Sequence, residues 1–133
     1  MSDLKDLKDL TKAKAEEERK VLQDKIIERL KSIKRDGIDD LIKYLLERTD
    51  YFTAPASTKF HSNFDGGLAF HSNNVVELLI QKNEQYKLGL SLDTIYLTGY
   101  LHDLCKCNIY EKTMRLKKDE MTGKWIGYAS YEI

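Results

Sequence analysis

The sequence predicts a mainly α-helical fold ending in a β-hairpin, on three observations. Apolar residues recur at helical spacing through several stretches before Asn108. The breaks between those stretches carry Gly37, Gly66, Gly67, Gly89 and Ser91, residues that end, turn or cap helices. Beyond Asn108 the spacing becomes strand-like, with the turn-forming run Lys118-Asp-Glu-Met-Thr-Gly123 at its centre.

From Ser2 to about Arg35, Leu4, Leu7 and Leu10, then Val21, Leu22, Ile26, Ile27, Leu30 and Ile33, keep helical spacing among Lys and Glu. Between Thr11 and Lys20 only Ala13 and Ala15 are apolar, so residues 1–35 read as a charged amphipathic helical arm, solvated or packed on a partner. A short coiled coil is the sharper alternative, and that sparse middle counts against it. Ile38 to Glu47 reads as a second helix, capped by Asp36 or Asp39, with Ile38, Leu41, Ile42, Leu45 and Leu46 on its buried side. Asp50 to Asp65 has no period and reads as a loop.

After Gly66 and Gly67, a helix is expected from about Leu68 to Asn83, with Leu68, Val75, Val76, Leu79 and Ile80 forming its apolar face. His71 lies one turn from both Leu68 and Val75 and so points inward. Ser91 or Asp93 caps the next helix, roughly Leu92 to Cys105. Helices joined by so short a connection pack antiparallel, which brings His71, at the front of one, to His102 and Asp103, at the back of the other. The hairpin spans about residues 113–131, its Trp125 and tyrosines read as a packed or partly covered sheet face rather than a base-stacking platform.

Composition fits one ordinary domain with a modest core: 133 residues, 41% hydrophobic and 33% charged, with no net charge. The charge is uneven. The segment holding the histidines is the acidic one, which favours a cation in the site and argues against nucleic acid as a partner. Cys105 and Cys107 are badly spaced for a mutual disulfide and too few for a zinc site, so reduced thiols and a cytoplasmic location are expected. No apolar run is long enough to cross a membrane.

An imidazole and a carboxylate side by side suit a divalent cation that polarises phosphoryl oxygen. A lone histidine on an apolar face is more often a satisfied core residue; the reading of His71 as a ligand depends on the second helix. The ordered motifs Thr53-Ala-Pro-Ala-Ser-Thr-Lys-Phe-His61, Gly66-Gly-Leu-Ala-Phe-His71-Ser72 and Leu101-His-Asp-Leu-Cys-Lys106 strengthen it. Together, over residues 51–133, they resemble the HD-domain phosphohydrolases, in particular bacterial and phage-borne members whose first metal histidine follows Gly-Gly-Leu and whose HD pair is followed by a lysine.

The resemblance implies an HD-like helical bundle over residues 36–133 and a divalent metal ion (Mn, Fe, Ni, Co, Zn or Mg) held by His71, His102 and Asp103. It implies catalytic roles for His61, Asp103 and Lys106: His61 bonding substrate or a water, Lys106 countering phosphate charge. The plain alternatives are a solvated loop histidine for His61 and, for Lys106, a cation facing the carbonyl end of its helix. Ser57, Thr58 and Lys59 are weaker candidates for phosphate contacts. Family members carry a further metal-binding aspartate on a later helix, whereas Asp119, the only aspartate after Asp103, falls in the hairpin turn. The chain is therefore expected to be the front portion of an incomplete domain, with completion of the site by a second subunit, or a fold kept without efficient catalysis, as the alternatives.

The functional expectation is a metal-dependent phosphohydrolase acting on a nucleotide or other phosphate ester. A catalytically silent binding or regulatory module and a nucleic-acid-associated accessory protein are the alternatives. The exposed hairpin edge and the helical arm give a second copy something to hold, so a homo-oligomer is an open expectation.

Overall fold

A computed structural model describes residues 2–58, 62 and 64–133, apart from the side chains of residues 2–5, 8 and 129. It contains four α-helices, α1 (Ser2–Lys31), α2 (Ile38–Glu47), α3 (Gly67–Tyr86) and α4 (Leu92–Leu101). A 3₁₀ turn at Leu104–Lys106 follows, then an antiparallel hairpin of β1 (Glu111–Lys118) and β2 (Trp125–Glu132). The mainly α fold with a C-terminal hairpin is as the apolar spacing predicts.

The two halves of α1 have different fates because their apolar residues differ in density. Leu7 and Leu10 are exposed, whereas Ile26 and Leu30, one turn apart, are fully buried and lead into Ile33 of the core. Each such side chain contributes about 1.5–3 kcal/mol by leaving water. The second half of the arm is thus part of the same core as Ile42, Leu45, Leu68, Val76 and Ile95.

The entry to α2 corrects the expected carboxylate cap. Gly37 occupies the N-cap position in the left-handed region at φ 88°, with no side-chain cap bond, and its carbonyl accepts from Leu41 N–H. Asp39 and Asp40 instead stand in the first turn, where negative charge faces the positive end of the helix. For α4 the expected cap is present: Ser91 accepts from Thr94 N–H at 3.2 Å.

The aperiodic segment after α2 is loop, yet it is buried. Tyr51 and Ala56 are fully covered, and Tyr51 donates its hydroxyl to the Tyr100 carbonyl at 2.6 Å. The Thr53 and Ala54 carbonyls accept from Gly66 and Leu68 N–H, so the loop is bonded to the start of α3. At its other border, Asp50 and Asn108 exchange bonds: Asp50 N–H to Asn108 Oδ1 at 3.1 Å and Asn108 N–H to Asp50 Oδ1 at 2.6 Å.

Helices α3 and α4 pack antiparallel through an unusually close crossing. A Cβ on Gly99 would lie 2.4 Å from Val76 Cγ2 and 3.2 Å from Val76 Cα. Only glycine lets the two backbones meet there. The hairpin leaves this body at its base, where Lys112 and Tyr131 both bond Asp65. Beyond the base its apolar side chains are uncovered, Trp125 at 67% and Leu116 at 69% exposure, which corrects the expectation of a packed or partly covered face for Trp125, while Tyr131 at the base is partly covered. Thr113, also near the base, is partly covered too.

Candidate metal centre

The cluster is assembled by two helix ends. Gly67 starts α3 against the loop, since a Cβ there would fall 1.9 Å from the Ser62 carbonyl oxygen, and His71 follows one turn later. On the other side α4 ends at Leu101, four residues short of the expected Cys105; His102 is its C-cap. Asp103 leaves the helix at φ −111°, ψ 24°, in the sparsely populated bridge region where active-site residues are often found. That early termination turns the Asp103 carboxylate back between the two imidazoles.

His102 Nε2 lies 3.2 Å and His71 Nε2 3.4 Å from the same oxygen, Asp103 Oδ2. One ligand atom from each of the three residues falls within 4.8 Å of the others, and the rings are 5.3 Å apart between centroids. All three side chains are partly exposed, 18–30%, so the cluster opens to solvent while backed by the core.

The donor set fits a first-row divalent ion. Ligand atoms about 2.1 Å from an ion stand about 3.0–3.4 Å apart at octahedral to tetrahedral angles, which matches both imidazole–carboxylate separations. The tautomer of His102 also fits: its Nδ1 meets the Gly99 carbonyl oxygen at 2.7 Å, and because that oxygen can only accept, Nδ1 carries the proton. That leaves Nε2, the nitrogen facing Asp103, as the one that would offer a lone pair to an ion.

Lys106 is drawn to the same place by the 3₁₀ turn. Its ammonium lies 3.4 Å from Asp103 Oδ2 and donates to the Ala56 carbonyl at 2.8 Å. It therefore ties the loop to the cluster. His61 and Lys59 lie outside the described residues. Ser57 is nearly buried beside Ala56, and Thr58 faces a separate cleft. Asp119 holds the hairpin turn, accepting from Met121 N–H at 3.0 Å and the Thr122 hydroxyl at 2.9 Å, and takes no part in the cluster.

Sequence reasoning missed Gly99, which sets both the helix crossing and the His102 tautomer. A glycine three residues before a histidine in an apolar helix is the signal that could have marked it. It also missed a chain of bonds from Arg29 to the Tyr100 hydroxyl at 3.0 Å and from that hydroxyl to Asn73 Oδ1 at 2.8 Å. Those partners lie far apart in the chain and have no local signature.

Curated relatives include two exoribonucleases. The chain is 33% identical over 90 residues to the 3'-5' exoribonuclease YhaM of Geobacillus sp. (strain WCH70), a match covering 66% of this chain and 28% of the relative. It is 32% identical over 97 residues to the 3'-5' exoribonuclease YhaM of Oceanobacillus iheyensis, covering 70% of this chain and 30% of the relative. No family model and no solved structure matches. The comparison corrects the charge argument against nucleic acid, because neutral net charge weakens non-specific backbone binding but says little about recognition of a chain end in a pocket. The chain thus resembles, over about three tenths of their length, enzymes named for removing nucleotides from RNA.

Proposed function

We propose that this chain forms the metal-binding portion of an HD-type phosphohydrolase that cleaves nucleotide phosphate esters, the terminal phosphodiester of an RNA among them. The observation that supports this most is the convergence of His71, His102 and Asp103, with ligand atoms within 4.8 Å of one another. The exoribonuclease relatives support the substrate class.

In this reading, His71 Nε2, His102 Nε2 and an Asp103 oxygen hold the ion, with Gly99 O orienting the His102 ring. When bound, a divalent ion supplies Lewis acidity toward a phosphoryl oxygen and acidifies a water. Lys106 places a positive charge beside the cluster, where a non-bridging phosphate oxygen would lie, and keeps the Ala56 segment in place. His61 belongs to the same motif and is assigned to substrate or solvent contact.

The test is hydrolysis of a short end-labelled RNA and of nucleotide esters in Mn²⁺, comparing wild type with His102→Ala. Metal-dependent release of mononucleotides that His102→Ala abolishes supports the proposal. Metal binding without turnover on any of these substrates favours the silent module instead.

A further inference from the structure

A cleft of about 1120 Å³ lies between α1, the first turns of α3 and the base of the hairpin, and none of the three metal-ligand candidates lines it. We infer that this cleft is a nucleobase subsite, with Phe70 stacking on the base and the Asn73 amide donating to its edge. The identity of the ligand rests on the phosphohydrolase reading above.

Three features carry the inference. The first is aromatic surface left open on the walls: Phe64 and Phe70, 48% and 44% exposed, meet edge to face at 5.6 Å, and Tyr128, 43% exposed, stands on the hairpin side. Such rings offer their faces to any planar heterocycle. Secondly, Asn73 is 8% exposed and lines the cleft. Its Oδ1 is committed to the Tyr100 hydroxyl, itself held by Arg29, so the amide is oriented and its NH₂ is left as a donor with no acceptor among the described residues. That nitrogen keeps contact with the cleft solvent, and a ring carbonyl or ring nitrogen can take the place of water on it.

Thirdly, the charges in the cleft are mixed. Arg19 brings a donor, but Glu18 and Asp65 also line it, and Asp65 is already occupied by Lys112 and Tyr131. Arg19 and Lys112 balance Glu18 and Asp65, so the lining has no excess positive charge to draw a free phosphate dianion, whereas a neutral base edge, with donors and acceptors alternating, suits Arg19, Glu18 and Asn73 together. Phe70 and Asn73 flank His71 in the chain, so the cleft and the metal cluster sit on either side of the same helical turns. That placement lets one nucleotide chain reach both.

The test is an NMR titration of the full chain in EDTA with adenosine, with adenosine monophosphate and with ribose 5-phosphate, following the Asn73 side-chain amide. Adenosine and its monophosphate should shift that amide saturably, ribose 5-phosphate should not, and Phe70→Leu should weaken the binding about tenfold. Asp103→Asn should leave it unchanged. Absence of a saturable Asn73 shift at millimolar adenosine, or equal shifts with ribose 5-phosphate, overturns the inference. Loss of metal binding or hydrolysis with the adenosine shift intact would instead sink the phosphohydrolase reading alone.

Discussion

Replacing Gly99 by alanine tests how the fold delivers the cluster. The added Cβ would lie 2.4 Å from Val76 Cγ2, whereas carbon atoms pack at about 3.5–4.0 Å, so about 1 Å of separation must be found. Rotation cannot supply it, because a β-branched residue in a helix has one strongly preferred rotamer and Val76 Cα also lies at 3.2 Å. Overpacking of this kind costs about 1–3 kcal/mol, and the better helix propensity of alanine returns at most about 1 kcal/mol. A net loss of about 1–2 kcal/mol is expected, read as a fall of about 3–10 °C in Tm by differential scanning calorimetry. Because the Gly99 carbonyl also orients His102, moving α4 should weaken Mn²⁺ binding at least about tenfold. Val76→Ala in the same chain should recover most of that affinity by removing the clashing methyl. A Gly99→Ala protein as stable and as tight for Mn²⁺ as wild type would refute the close-crossing account.

The remaining predictions concern groups around the site. Lys106→Met should lower turnover of an RNA end by about 10²-fold while changing Mn²⁺ affinity little, since Lys106 is assigned to the phosphate rather than the ion; an equal loss in both would assign it to holding the ligands. Asp65 has a carboxyl that burial would raise but that bonds from Tyr131 and Lys112 hold below its ordinary range. A folded-state value lower than the unfolded one means stability present above about pH 4 and lost as pH falls through the folded value. Thermal unfolding across that acid window should show a steeper decline for wild type than for Asp65→Asn; parallel curves would count against the Asp65 contacts at the hairpin base. Burial, and then the nearby Asp50 charge, push the Cys107 thiol up to about 11, while Cys105 is exposed. Mass spectrometry after iodoacetamide treatment at about pH 8 should find Cys105 modified first, and equal rates would contradict the burial of Cys107.

How much was legible follows from the range of each interaction. α2 reads from Ile38 to Glu47 on spacing, because its apolar face is strong and Gly37 marks its start. The meeting of α3 and α4 was legible too, since a short connection leaves few alternatives. The end of α4 was not. Apolar spacing runs on through Leu104, and no glycine or proline marks a stop; the helix ends where the His102 ring turns to the Gly99 carbonyl. Burial of the Tyr51–Ala56 loop depends on partners at residues 66–68 and 100, and a non-periodic stretch carries no sign of that. The arm over residues 1–35 reads as one amphipathic helix, but whether Ile26 and Leu30 enter the core is decided by residues far along the chain. Trp125 shows the opposite failure: strand-like composition suggests cover, and the hairpin carries it away from the helices, beyond the base where Tyr131 and Lys112 hold Asp65.

The central claim is that two imidazoles and one carboxylate share an ion. Isothermal titration of Mn²⁺ into wild type, His71→Ala, His102→Ala and Asp103→Asn tests it most directly. One saturable site per chain in wild type, weakened at least about tenfold by each of the three substitutions, is the predicted result. Binding that survives all three unchanged, or no binding by the wild-type chain, would contradict it.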